Sequence, residues 1–256
     1  MLGLGQSCGS VTEVGFHNQG SINFDGTNDY VQIDALAGVM NELFDATSPP
    51  EVNISVSAWV KLETMSSSGI IFNMRAGTST SNQINLFWHG SDNRIKWNIK
   101  LANSASACDD NGSGSFTASG IAENDGNWYH IVGTMTHGDV CELWINGAKR
   151  ASVAQESELN QDFTVANIGA NTQETAFWNG NIDEVAVWNR CLSDTEILHL
   201  SRGYDIDLSD TSGIGRELKA YYRFEEKSGT IANNTVDPNT NGTLTNSPTY
   251  SLDVAS

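Results

Sequence analysis

No stretch of this 256-residue chain approaches the roughly 18 consecutive apolar residues that a membrane-spanning helix needs, so a helical span is not expected. The opening Met1-Leu-Gly-Leu-Gly-Gln-Ser-Cys8 has neither a basic region nor a long apolar core, and a standard secretory signal is not expected either. Positive charge is scarce: Lys+Arg 13 against Asp+Glu 31 leaves a net charge of −18. A surface of that sign repels polyanions, which argues against nucleic acid and anionic membranes as partners. Cysteine is sparse too. Cys8, Cys108, Cys141 and Cys191 show no zinc spacing and no Cys-x-x-Cys pair, leaving idle buried thiols or one disulfide. The sequence has no phosphate-binding loop or dinucleotide fingerprint, and His17, His89, His130, His137 and His199 are dispersed.

What is present reads as β-structure. Short β-prone runs bounded by Gly, Asn, Asp and Ser recur at 54–62, 69–74, 83–89, 94–101, 128–136, 140–145, 165–169 and 180–188. Many short strands separated by turn residues predict an all-β sandwich or jelly roll. In Ile54-Ser-Val-Ser-Ala-Trp-Val60 the alternation sets Ile54, Val56, Ala58 and Val60 on one face and Trp59 on the other. Asn146-Gly147 predicts a two-residue type I′ hairpin. Ser193-Asp-Thr-Glu196 reads as a capping box opening a short helix through Leu200, and residues 35–44 predict another turn or two of helix. The polar, glycine-rich stretch 104–127 reads as a loop.

Three segments carry a resemblance. Phe24-Asp-Gly-Thr-Asn-Asp-Tyr-Val31 packs a strand, an acidic turn and a second strand together. It is joined by Gly126-Asn-Trp-Tyr-His-Ile-Val-Gly-Thr134 with Leu143-Trp-Ile-Asn-Gly147, and by Gly180-Asn-Ile-Asp-Glu-Val-Ala-Val-Trp-Asn-Arg-Cys-Leu-Ser193. Together they resemble laminin G-like, concanavalin A-like lectin/glucanase jelly-roll modules over most of residues 20 to 200. The resemblance implies an antiparallel jelly-roll β-sandwich. Tyr221-Tyr-Arg-Phe-Glu-Glu-Lys-Ser-Gly-Thr230 resembles the element that normally opens such a module, and here it closes the chain. The expected organisation is an N-terminal arm at 1–15 and one domain at 16–256, circularly permuted so that 218–250 lies beside residues 20–33. The alternative is a strand that crosses to a neighbouring subunit.

The resemblance also implies site residues. Many such jelly rolls hold a structural Ca²⁺ near this turn and the Ile-Asp-Glu strand, which nominates Asp25, Asn28, Asp29 and Asp183, with Asp237 a weaker addition. Equally, Asp25 and Asp29 could serve only as turn caps. Trp59, Trp128, Trp144 and Trp188 fall at family strand positions and read as core. Trp88, Trp97 and Trp178 with Asn179 flank loops and are the expected ligand contacts. Retaining glycanases set two carboxylates about 5–5.5 Å apart, whereas Asp183-Glu184 and Glu225-Glu226 are adjacent and on a regular strand point to opposite faces. The expectation is therefore a non-catalytic lectin-like adhesion or decoration module on the exterior of a larger assembly such as a phage virion. It would bind a glycan or partner protein, contact neighbouring virion proteins through the arm, and oligomerise in some settings. The alternatives are a structural cement protein without sugar binding, and a glycan hydrolase or lyase.

Overall fold

The computed structural model describes residues 18–45, 51–65, 67–77, 82–101, 104–110, 120–154, 162–171, 173, 175–203, 208–209 and 211–255. The arm expected at 1–15 lies outside them.

β1 (Ser21–Asp25) and β2 (Tyr30–Gln32) flank the acidic turn, and α1 (Asp34–Phe44) follows. Next come β3 (Ile54–Leu62), β4 (Gly69–Arg75), β5 (Gln83–His89), β6 (Arg94–Leu101) and β7 (Ser104–Asp109). The middle of the chain supplies β8 (Tyr129–Met135), β9 (Val140–Ile145), β10 (Ala148–Ala154), β11 (Val165–Ile168) and β12 (Asn179–Trp188). After α2 (Asp194–Leu200) come β13 (Leu218–Tyr222), β14 (Ile231–Ala232), a 3₁₀ turn at Pro238–Thr240, β15 (Gly242–Thr245) and β16 (Thr249–Ser251). These strands make two antiparallel sheets. One runs β10-β9-β8-β3-β12-β1-β16, with β13 also on β12, and the other runs β14-β15-β2-β11-β4-β5-β6-β7.

The alternation that marked the strands also builds the core. Ile54, Val56, Ala58 and Val60 are fully buried between the sheets, in the same core cluster as Ile84, Leu86, Ile95 and Ile99 of the other sheet. Trp97 lies there too, flat against Gly133, where a β-carbon would stand 2.3 Å from the indole. A second apolar cluster forms on the outer face of the first sheet, where Ile197 and Leu200 of α2 cover Val132, Trp144 and Trp188. The capping box that starts α2 is complete: the Ser193 side chain accepts from the Glu196 amide and the Glu196 carboxylate accepts from the Ser193 amide. Asn146 and Gly147 both adopt positive φ, 50° and 72°, as the type I′ turn between β9 and β10 demands.

The last strands meet the first ones within the same chain. β15 pairs with β2, Leu244 opposite Val31, and β16 pairs with β1, Tyr250 opposite Ile22. The stretch read as a loop from 104 is a strand as far as Asp109, because β6 supplies a full row of backbone partners that its polar side chains do not advertise. Residues 111–119 of that stretch lie outside the described residues.

Candidate functional site

The outer face of the second sheet carries a row of amides. Gln32 stands opposite Asn167, Asn167 opposite Asn73, Asn73 opposite Asn85, and Asn85 opposite Asn98. Five strands, the consecutive β4, β5 and β6 with the distant β2 and β11, thus align five carboxamides at the strand spacing of about 4.7–4.9 Å. They face outward because their neighbours along each strand, Met74, Ile84, Leu86 and Ile99 among them, are committed to the core. The Asn73 amide donates to the Asn85 carbonyl. Among the described residues the Oδ1 atoms of Asn167 and Asn98 are buried and accept no hydrogen bond. Arg75 and Gln83 form a neighbouring cross-strand pair, and the half-buried Phe87 lies beyond the amide row on β5.

Two amides of the row, Asn73 and Asn85, line a recess of about 250 Å³ with Arg75, Gln83 and Phe87, and Asn171 and Gln173 stand at its rim. The rim is fixed by Asn171, whose side chain bonds both the amide and the hydroxyl of Thr175 at 2.9 Å. Among the described residues no carboxylate lines the recess, in a chain of net charge −18. Aligned donors and acceptors, one guanidinium and one aromatic face suit a hydroxyl-rich ligand. In Gln83-Ile-Asn-Leu-Phe-Trp-His89 the alternation sets Gln83, Asn85, Phe87 and His89 on one face, but it does not reveal the row, which needs the register of the neighbouring strands.

The indoles nominated from the sequence are elsewhere. Trp88, Trp97 and Trp178 are 1%, 0% and 0% exposed, and a buried ring has no face on which a sugar can stack. In β5 and β6 the two-residue period carries Trp88 and Trp97 inward with Ile84 and Ile95; position beside a loop did not override it. The half-buried indoles are two that were read as core. Trp59 packs on the His130 ring at 5.1 Å, and Trp128 Nε1 donates to Asp253 Oδ1 at 3.1 Å. Trp144 and Trp188 are buried as expected, in the second cluster.

The expected metal set is split. Asp25, Asn28 and Asp29 share the turn after β1, and Asn179 joins them by standing opposite Asp25. Asp25 Oδ1 caps that turn, accepting from the amides of Thr27 at 2.8 Å and Asn28 at 3.4 Å. Asp29 is buried, and among the described residues its Oδ1 has no hydrogen-bond partner. Burial first, then the neighbouring Asp25 charge, raise its pKa. Asp183 does not converge with them: it sits past Ile182, whose partner in β1 is Ile22, three residues before Asp25. The four-residue set therefore does not fit one cation, and among the described residues no three acidic, His or Cys side chains cluster to bind a metal. Asp237 instead caps the 3₁₀ turn through the Asn239 amide.

Asp183 and Glu184 depart from the regular-strand expectation. β12 pairs with β1 up to Ile182 and with β13 from Val185, and a bulge with Glu184 at φ 49° falls where the partner changes. The bulge breaks the alternation, and both carboxyls are buried in one cluster. Asp183 accepts from Asn18 Nδ2 at 2.7 Å and from the Glu184 amide at 2.8 Å, yet burial pushes its pKa up to about 7. The Glu184 pKa is also raised, by burial and by Asp183, against the pull of Arg223 at 3.2 Å. The Tyr221 hydroxyl donates to its other oxygen. Nearby, His130 Nε2 and Ser57 Oγ lie 2.8 Å apart, a pairing reminiscent of a base and nucleophile. The imidazole is fully buried and pushed down to about 3, and the adjoining cavity of about 20 Å³ has room for a water and no substrate.

A two-sheet antiparallel sandwich with its last strands closing on its first defines a lectin-like jelly roll. The chain belongs to the concanavalin A-like lectin/glucanases superfamily, whose sequence pattern it matches over residues 25–198. Comparison with curated protein sequences gives no match. Among solved structures, a carbohydrate-binding protein, described as putative, from Bacteroides ovatus is similar at a TM-score of 0.57 and 16% identity. That likeness covers 91% of this chain and 59% of the other, so this chain spans about three fifths of that relative's length. The Ruminococcus gnavus IT-sialidase CBM40 bound to α2,3-sialyllactose matches at a TM-score of 0.51 and 12% identity, covering 73% of this chain and 99% of its own. A heptameric SAP-like pentraxin from Limulus polyphemus matches at 0.50 and 14% identity, over 72% and 82%. At these identities the likeness defines the fold.

Proposed function

We propose that the protein is a non-catalytic carbohydrate-binding module and that the amide row on the second sheet is its ligand face. The observation that carries this reading is the recess floored by Asn73, Arg75, Asn85 and Phe87, beside which the row continues through Asn98 and Asn167, whose Oδ1 atoms accept no hydrogen bond among the described residues. Vicinal hydroxyls of a sugar meet both halves of a carboxamide, Arg75 suits a carboxylated or oxygen-rich substituent, and Phe87 offers a ring to an apolar sugar face. Relatives described as carbohydrate-binding support the same reading. Non-catalytic action is supported by the engagement of the candidate carboxylates with Asn18, Tyr221 and Arg223, and by the closed Ser57–His130 pocket. The acidic surface supports display on the exterior of a larger assembly, a virion in particular, where solubility at high local density matters.

A glycan array probed with the whole chain tests the reading, followed by titration of the best ligand. Asn85→Ala is expected to weaken binding by about tenfold or more, and also to lower the melting temperature by several degrees, because it removes the acceptor of the buried Asn73 amide. Absence of glycan binding up to millimolar concentration, or an Asn85→Ala variant that binds as the parent does, would overturn it. Attachment to particles without any sugar response would favour the cement protein.

A structural Ca²⁺ at the turn after β1 is part of the same proposal, held by Asp25, Asp29 and the Asn179 carboxamide in place of Asp183. The Asp29 oxygen, unpartnered among the described residues, and its raised pKa support it, because a cation would supply a partner for that charge. Saturating calcium is expected to raise the melting temperature by about 5–10 °C over chelator, and Asp29→Asn to abolish the difference. Identical melting curves with calcium and with chelator would remove the ion from the account.

A further inference from the structure

We propose that Cys108 and Cys141 form a disulfide that joins the two sheets at one end of the sandwich. Cys108 lies on β7, the edge strand of the second sheet, and Cys141 on β9, next to the edge of the first. Both side chains point inward and are fully buried. Their Sγ atoms are 3.0 Å apart, and Cys108 Sγ is 2.8 Å from the Cys141 carbonyl. Two unbonded sulfurs do not normally rest that close, and about 1 Å of approach reaches the bonded distance of about 2.03–2.05 Å. The register holds them there: Cys108 is opposite Trp97, which reaches across the core to Gly133 on β8, and Cys141 is opposite Met135 on the same strand. Cys191 is half-buried and its Sγ lies against its neighbour's carbonyl, so it does not compete.

The bond forms by exchange with a small disulfide such as oxidised glutathione. One cysteine thiolate attacks the glutathione disulfide, forming a mixed disulfide and releasing one glutathione thiolate. The second cysteine thiolate then attacks the protein sulfur of that mixed disulfide and releases the other. Two protein thiols are oxidised, one glutathione disulfide is reduced to two glutathiones, and the two thiol protons pass to the released thiolates. Burial and the adjacent thiol raise the Cys141 pKa, so the exchange belongs to the open chain before the sheets close.

The test is to refold the whole chain in a mixed reduced and oxidised glutathione buffer, alkylate, and map its peptides without reduction. The expected result is a Cys108–Cys141 peptide pair with Cys191 alkylated, and a melting temperature on the order of 10 °C above the same protein kept reduced, given a link across 33 positions. Quantitative alkylation of both cysteines after refolding, or linkage of either to another cysteine, overturns the proposal. Cys108→Ser and Cys141→Ser should each lose the redox-dependent difference in melting temperature. A difference that persists in both variants would overturn it as well.

Discussion

Trp97→Ala is expected to cost about 3–5 kcal/mol of folding stability, the range for removing a large aromatic from a packed core. The indole is fully buried between the sheets, its Nε1 donates to the Thr134 carbonyl at 3.0 Å, and its ring occupies the space that Gly133 leaves by having no side chain. Truncation would open a cavity walled by two rigid strands, neither of which can collapse into it without breaking register with its neighbours. Trp59→Ala, removing a half-buried indole from the outer face of the first sheet, should cost about 1 kcal/mol or less. Urea unfolding of the two variants decides the matter: a loss at Trp97 no larger than at Trp59 would mean that the first ring is not a core element.

The second large effect concerns pH. Asp183 has a folded-state pKa of about 7 against an ordinary 3.8, so between those values the folded protein holds a proton that the unfolded chain has released. Stability from this group is therefore full below about pH 4 and declines as pH rises toward 7, by up to about 4 kcal/mol. Glu184 moves in the same sense. His130 opposes them: pushed from 6.5 to about 3, it is neutral in the folded protein while the unfolded chain binds a proton, so its contribution grows as pH rises to 6.5. The two effects offset one another in the parent protein, and a comparison of variants separates them. Asp183→Asn should gain on the order of 2–4 kcal/mol relative to the parent between pH 4 and pH 8. Stability curves that run parallel across that range would show that Asp183 ionises freely in the folded protein.

Much of the fold was legible because alternation and turn chemistry act locally. The bounds of β3, β5, β6 and β9 follow from period two and flanking polar residues, and the Asn146-Gly147 turn and the Ser193 capping box follow from backbone preferences of a few residues. The failures are of two kinds, one a local signal overlooked and the other a non-local pairing. Trp88 and Trp97 were assigned by closeness to loops, although the period that defined their strands already placed them inside. The bulge at Glu184 has no glycine to announce it. It exists because β12 changes partner from β1 to β13 at that point, which depends on segments far apart in the chain. The amide row was illegible for the same reason: each asparagine alone is an ordinary outward residue, and only the register of five strands makes a surface of them.

The closure of the first strands by the last ones sets a timetable for folding. Ser21 donates to the Asp253 carbonyl at 2.6 Å across 232 positions of sequence. At about 5–20 residues per second, a ribosome needs roughly 10–50 s to make that intervening chain. Throughout that interval the outer edges of β1 and β2 have no partner, with the apolar Ile22, Phe24 and Val31 among them. The sandwich therefore cannot be completed from its N-terminus forward, and the half-made chain presents open strand edges of the kind that recruit other chains. A newborn molecule is most vulnerable to its own neighbours just before its final strands emerge.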